Sequence, residues 1–224
     1  MSQSDTASFT ASSFQREVAQ LFFTLPESAG FAVAGGAAVI AHGLVERLTV
    51  DLDLFASKAD VPRAATALVD ACRMRGWRAR IDPASLSSTF ARLLIAKRGM
   101  SMDDALLVDL ALDAPPLLPN VTTQLGPTLA PRESAGQKTL ALFGRAAPRD
   151  FVDVFALAQA FGADALLRLA AERDPGFDRL VFAEMLTYLD KITDDQLDID
   201  REMVGPLRAF YANWREELSS NRNQ

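Results

Sequence analysis

The sequence predicts an α/β (α+β) chain, a strand-rich first part followed by a part built of helices alone. Three observations carry this. Residues 49–55 and 105–112 alternate apolar and polar side chains with the period of two of a half-buried strand. Segments before and between them repeat apolar residues at helical spacing. After a proline-rich stretch at 113–131, only helical periodicity remains.

The elements follow in order. Residues 1–11 are rich in Ser and Thr and are expected to be flexible. Phe14, Val18, Leu21, Phe22 and Leu25 lie on one helical stripe, opened by a Ser12/Gln15 capping box and ended by Pro26. Phe31, Ala32 and Val33 read as a short strand that stops at Gly35-Gly36, and a turn or two of helix follows before Gly43. In the strand at 49–55, Val50, Leu52 and Leu54 share one face and Asp51 and Asp53 the other. Val61, Ala65, Leu68, Val69 and Cys72 form a helix capped by Asp60, with Pro62 in its first turn and Gly76 after its end. Residues 77–81, 90–97 and 105–112 complete the strands, and Leu107, Asp109 and Ala111 share a face of the last.

The stretch 113–131 reads as a linker. Beyond it, helices are expected near 133–143, carrying Lys138, and from Pro148, carrying the apolar stripe Phe151, Val154, Phe155 and Ala158. Asp150 and Asp153 lie together on a neighbouring face of that helix. Others follow near 164–173, 177–190 and 203–218. The expected organisation is a flexible 1–11, a core at 12–125 and a helical domain at 126–224 that completes the site.

Composition narrows the function classes. The 224 residues are 49% hydrophobic and 23% charged, as in an ordinary globular chain. One cysteine, Cys72, excludes an internal disulfide and a cysteine-based zinc site. No run of about 18 apolar residues exists and the N-terminus lacks a signal-peptide pattern, so a cytoplasmic protein with no membrane partner is expected. The net charge of −6 argues against a general nucleic-acid coat protein. Charge is segregated, however: residues 61–100 carry eight bases against two acids, and 164–224 carry eight against thirteen. The basic stretch is either a solvated face or a surface for a polyanion, with Arg75, Arg78 and Arg80 as candidate RNA contacts.

Asp51-Leu52-Asp53 is the sharpest chemical feature. Carboxylates at i and i+2 on one strand sit roughly 6–7 Å apart on the same side. Such a pair invites a cation, and Mg²⁺ takes one or two carboxylates together with substrate phosphates. Gly35-Gly36 lies fifteen residues before Asp51, between a strand and a helix, where a ligand's phosphates can approach the backbone. Phosphate turn and metal strand together make the physical core of a nucleotidyl-transfer site, where positioning and charge neutralisation supply the catalysis.

Gly35-Gly36-Ala37-Ala38, then Arg47-Leu48-Thr49-Val50-Asp51-Leu52-Asp53-Leu54-Phe55, then Lys138 and Arg149-Asp150-Phe151-Val152-Asp153, resemble the signature of the DNA-polymerase-β-like nucleotidyltransferases. Within them the chain resembles the toxin group called AbiEii or MenT. The resemblance covers about residues 30–160 and implies a mixed-sheet nucleotidyltransferase core followed by a helical C-terminal region. It implies transfer of nucleotides from an NTP such as ATP or CTP to RNA, notably the 3′ end of tRNA, blocking translation. It further implies Mg²⁺ or Mn²⁺ and a cognate antitoxin from a neighbouring gene.

Carried over residue by residue, Asp51 and Asp53 would hold the metal and Lys138 would contact the triphosphate. Asp153 would complete the catalytic set, and Gly35, Gly36, Thr49, Arg149 and Asp150 would line the NTP. Asp109 is either a third metal carboxylate or a surface acid. Arg149 either meets a phosphate or pairs with Asp150 or Asp153. Thr49 is also a candidate for phosphorylation by an antitoxin kinase, which would add about two negative charges beside the carboxylates. Ala37 departs from the Ser or Thr usual after the glycines. Two other classes stay open: a nucleotidyltransferase acting on a small molecule such as an aminoglycoside, drawing on the acids at 190–202, and a degenerate nucleotide-binding module.

Overall fold

The computed structural model describes residues 12–220, so the segment 1–11 lies outside the described residues. The chain forms two compact units that divide at Pro131.

The first unit is a seven-stranded mixed sheet with helices. Its elements are α1 (Ser13–Phe22), β1 (Phe31–Ala34), α2 (Gly35–Ala41), β2 (Asp51–Ala56) and α3 (Val61–Met74), then β3 (Arg78–Ile81), β4 (Phe90–Ala96), β5 (Leu106–Leu112), β6 (Val121–Thr123) and β7 (Gly126–Thr128). The strand order is β3-β4-β5-β2-β1-β7-β6. β2 pairs parallel with β5 and antiparallel with β1. The α1 and α3 stripes (Val18, Leu21, Phe22; Val61, Leu68, Cys72) bury one sheet face, against Leu52 and Leu54 of β2, Leu93 and Ile95 of β4 and Val108 and Leu110 of β5. This burial supplies the main drive for the unit to fold. Helix starts match their caps: Ser12 and Gln15 form the reciprocal capping box of α1, and the Asp60 carboxylate accepts from the Arg63 amide at the start of α3.

The stretch 113–131 is not a bare linker. It contains β6 and β7, and β7 joins the sheet beside β1, with Val33 opposite Thr128. The first unit therefore extends past residue 125, where the core was expected to end, because 126–128 supply a strand of its sheet. Periodicity could not reveal so short a pair, since three residues make little more than one alternation. His42 donates from Nε2 to the Leu129 carbonyl at 2.8 Å and ties that strand's exit to the end of α2.

The second unit contains α4 (Pro131–Arg145), α5 (Pro148–Phe161), α6 (Ala163–Arg173), α7 (Arg179–Leu186) and α8 (Arg201–Ser220). Its core holds an aromatic cluster in which Phe151 meets Tyr211 edge-on at 5.1 Å and Phe182 meets Trp214 at 5.2 Å. A Cβ on Gly136 of α4 would lie 3.0 Å from the Leu169 carbonyl of α6, so glycine permits the close crossing of these helices. Among the described residues no single helix is long and apolar enough to cross a membrane.

Candidate active site

The strand–turn–helix from β1 into α2 places glycine where side chains of the next strand need room. Gly35 has φ +59°, and a Cβ there would lie 1.8 Å from Asp53 Oδ2. At Gly36 a Cβ would meet the Arg47 guanidinium at 3.0 Å and the Thr49 hydroxyl at 3.1 Å. The glycine pair therefore makes room for Arg47, Thr49 and Asp53, a reason the sequence alone did not show.

Asp51 and Asp53 occupy the half-buried face of β2, as alternation predicts. The Thr49 hydroxyl donates to Asp51 Oδ1 at 2.6 Å, which fixes that carboxylate's rotamer. Gln15, 2% exposed, donates from Nε2 to the carbonyls of Thr49 at 2.8 Å and Asp51 at 3.1 Å. The same side chain accepts the Ser12 amide at 2.8 Å, so one carboxamide closes the α1 cap and clamps the entry of β2. Arg47 is buried and donates to the Leu48 carbonyl at 2.8 Å.

Asp109 of β5 stands in register with Asp53, and Arg92 of β4 stands in register with Asp109. Laterally paired side chains share a sheet face, so Asp53, Asp109 and Arg92 form one row. Arg92 grips Asp109 with two parallel hydrogen bonds, Nε to Oδ1 at 2.8 Å and Nη2 to Oδ2 at 2.6 Å. That hydrogen bond raises the Arg92 pKa against partial desolvation, and the charges of Asp109, Asp53 and Asp51 raise it further. Both Asp109 oxygens thus face a guanidinium. Among the described residues no group of three or more His, Cys, Asp or Glu side chains is placed to hold a metal ion. Asp51 and Asp53 are the carboxylates that would hold a hard cation, and Mg²⁺ needs no more than one or two when phosphates complete its shell.

In the second unit, Lys138 Nζ of α4 lies 2.8 Å from Asp153 Oδ2 of α5, both side chains nearly inaccessible. Asp150 has a different job. It accepts from Arg145 Nε and Nη2 at 2.7 and 2.8 Å and from the Ala147 amide at 3.3 Å, closing the turn between α4 and α5. Arg149 is exposed at the start of α5. The fully buried Tyr211 donates to the Phe151 carbonyl at 2.7 Å. Its pKa is raised by burial first and by the charges of Asp153 and Asp150 next.

The basic stretch is less positive in space than in sequence. Arg63 pairs with Glu27, Lys97 with Glu17 and Arg92 with Asp109, so three of its six excess charges are met from outside it. Arg75 lies over the Trp77 ring, 5.6 Å from its centroid, and Trp77 packs edge-on to Phe14 at 5.3 Å. Arg78 donates to the Met100 carbonyl, and Arg78 and Arg80 hold the exposed positions of β3. Two of the six acids at 190–202 are also engaged: Asp190 pairs with Arg215 at 3.1 Å and Asp194 with Arg208 at 2.7 Å.

Three positions beside the acids were missed as site residues in the sequence: Gln15, Arg47 and Arg92. Arg47 opens the Arg-Leu-Thr-Val-Asp-Leu-Asp motif, and Arg92 is the one charged residue in the apolar run 90–96, so both carried a signal. Gln15 carried a signal only for its cap.

The fold resembles that of JHP933 from Helicobacter pylori (TM-score 0.56, 16% identity, covering 95% of this chain and 96% of that one). It also resembles MenT4, a nucleotidyltransferase toxin from Mycobacterium tuberculosis H37Rv (TM-score 0.55, 12% identity, covering 92% and 82%). No curated relative matches the chain. The family model described as nucleotidyl transferase AbiEii toxin, type IV TA system, matches residues 19–221, a span that takes in the β2 acids, Lys138 and Asp153. The chain therefore belongs to the AbiEii nucleotidyltransferase toxin family and is a nucleotidyltransferase.

Proposed function

We propose that this nucleotidyltransferase transfers nucleotides from an NTP to RNA, at the 3′ end of tRNA, in a reaction that depends on Mg²⁺ or Mn²⁺ and blocks translation in the cytoplasm. The observation that carries the reading is the Asp51/Asp53 pair on one face of β2, with Thr49 bonded to Asp51 and Asp53 seated against Gly35.

In this reading the acceptor 3′-oxygen attacks the α-phosphorus of the NTP. The bond from that phosphorus to the bridging oxygen breaks, pyrophosphate leaves, and the hydroxyl proton passes to a carboxylate or to water. When bound, Mg²⁺ supplies charge neutralisation for the triphosphate and acidifies the attacking hydroxyl. Asp51 and Asp53 hold it, and Thr49 keeps Asp51 turned toward that face. In the first unit the Gly35-Gly36 turn is the proposed phosphate contact; in the second, Lys138, held by Asp153, and Arg149 are the proposed ones. Arg92 holds Asp109 in register beside Asp53, and in this reading Asp109 supports the pair through that ion pair. Ala37 leaves the turn without a hydroxyl, so backbone amides serve the phosphates there.

Membership of a type IV toxin–antitoxin family implies a cognate antitoxin. Thr49 is the proposed point of control, because a phosphate on its hydroxyl would break the 2.6 Å bond to Asp51 and crowd two carboxylates with further negative charge. Co-expression with the neighbouring gene followed by mass spectrometry tests this, and inactive protein with unmodified Thr49 refutes it.

For the reaction, purified protein is incubated with Mg²⁺, total tRNA and each labelled NTP in turn. Label is expected on tRNA with one or more NTPs, and Asp51→Asn is expected to lose at least a hundredfold in rate at an unchanged melting temperature. Label on an aminoglycoside and never on RNA refutes the RNA assignment.

A further inference from the structure

We infer that a cleft beside Asp51 seats the unpaired terminal nucleotide of the RNA acceptor, its base over Leu94 and Leu107 and its trailing phosphates toward Arg78 and Arg80. The inference rests on the RNA-transfer reading above and names the subsite that reading requires.

The register of the sheet places the cleft. Asp51 pairs with Leu107, Leu107 with Leu94, and Leu94 with Arg80. Paired residues share a face, so a carboxylate, two half-buried leucines and an edge arginine run in line across four strands. At about 4.8 Å per strand, the row spans about 14 Å. It lies on the face that carries Asp53, Asp109 and Arg92. A cavity of about 540 Å³ at the starts of β2 and β5 is lined by Leu94 and Leu107 of this row and by Thr49 and Val50, which precede Asp51.

The walls suit a base. Met100 and Met102 are flexible, polarisable thioethers, and Phe14 adds a ring on the side where Lys97 and Trp77 approach it. Val50 lines the cavity just before β2 and is 74% exposed. Exposed Asp103 and Asp104 stand on the rim, where they accept from base amino groups and repel phosphate, so a base enters and a backbone does not. Arg78 holds the Met100 carbonyl, which couples the basic edge to the cleft wall. A duplex hides its bases; a single-stranded end offers a π-face for stacking.

The test uses a 5′-fluorescein single-stranded RNA decamer and the same strand blunt-ended in a duplex. Anisotropy and Mg²⁺-dependent labelling are measured for each, and circular dichroism confirms folding. Wild-type protein should bind and label the single strand at least tenfold better than the duplex. Met102→Glu, on a loop, and Leu94→Gln should each raise the decamer's half-saturation about tenfold while NTP half-saturation stays within twofold. Met102→Leu should behave as wild type. Folded Met102→Glu that binds the decamer normally, with labelling intact, overturns the cleft and leaves transfer to RNA standing. Wild-type protein that labels a polycationic small molecule but no RNA overturns the transfer reading, and the cleft assignment falls with it.

Discussion

At the residue scale, the two aspartates of the second unit separate by partner. Asp150 serves the α4–α5 turn through Arg145, while Asp153 shares its carboxylate with Lys138 in a buried pair. Removing one partner of such a pair strands the other's charge. Lys138→Ala should therefore cost about 3–5 kcal/mol of stability as well as activity, read from urea unfolding. Lys138→Met with Asp153→Leu should recover most of that stability and none of the activity, which separates the structural loss from the chemical one. Cys72 gives a second residue-scale expectation. Burial pushes its thiol up from 9.0 to about 12, with Arg75 opposing. The unfolded thiol loses its proton first, so between those values the folded state binds more protons and stability must fall as pH rises. Urea midpoints should drop steadily above pH 9, and native protein at pH 8 should not react with a disulfide reagent.

At the element scale, α1 and β2 are joined through one side chain. Gln15 closes a cap and clamps the backbone on either side of Val50. The two roles can be told apart. Ser12→Ala removes the hydroxyl that accepts the Gln15 amide and should cost about 1 kcal/mol with the Mg²⁺ half-saturation unchanged. Gln15→Leu removes the clamp as well and should raise that half-saturation several-fold at matched stability; equal Mg²⁺ titrations for both variants would reduce Gln15 to a cap. The longer strands were legible, β2 and β5 by their alternation and β4 as an apolar run. β6 and β7 were not legible, because strands of three residues gain their identity from the neighbour they pair with.

At the scale of the whole molecule, charge is the property that sequence and structure describe differently. The chain is acidic in total, and half the excess of its basic stretch is spent on Glu17, Glu27 and Asp109. RNA binding should consequently depend only weakly on salt. Two or three phosphate contacts predict a slope of log affinity against log salt of about −1.4 to −2.1 for a single strand. A slope near zero or steeper than about −5, from anisotropy between 50 and 300 mM KCl, contradicts the assignment of a few arginines at one edge. By itself the sequence determined the succession of helices and of the strands β1 to β5, the capping of α1 and α3, the acidic pair on β2 and the motif set that announces the family. Those are local properties, written in periodicity and in spacing along one segment. Only the tertiary structure decided that the glycines at 35 and 36 clear space for Asp53, Arg47 and Thr49. It alone showed that Arg92 engages Asp109, that Gln15 clamps the entry of β2, and that Leu107 and Leu94 lead from Asp51 to Arg80. Each of these joins residues far apart in the chain, and their distance is set by strand register and helix packing, which no single segment encodes.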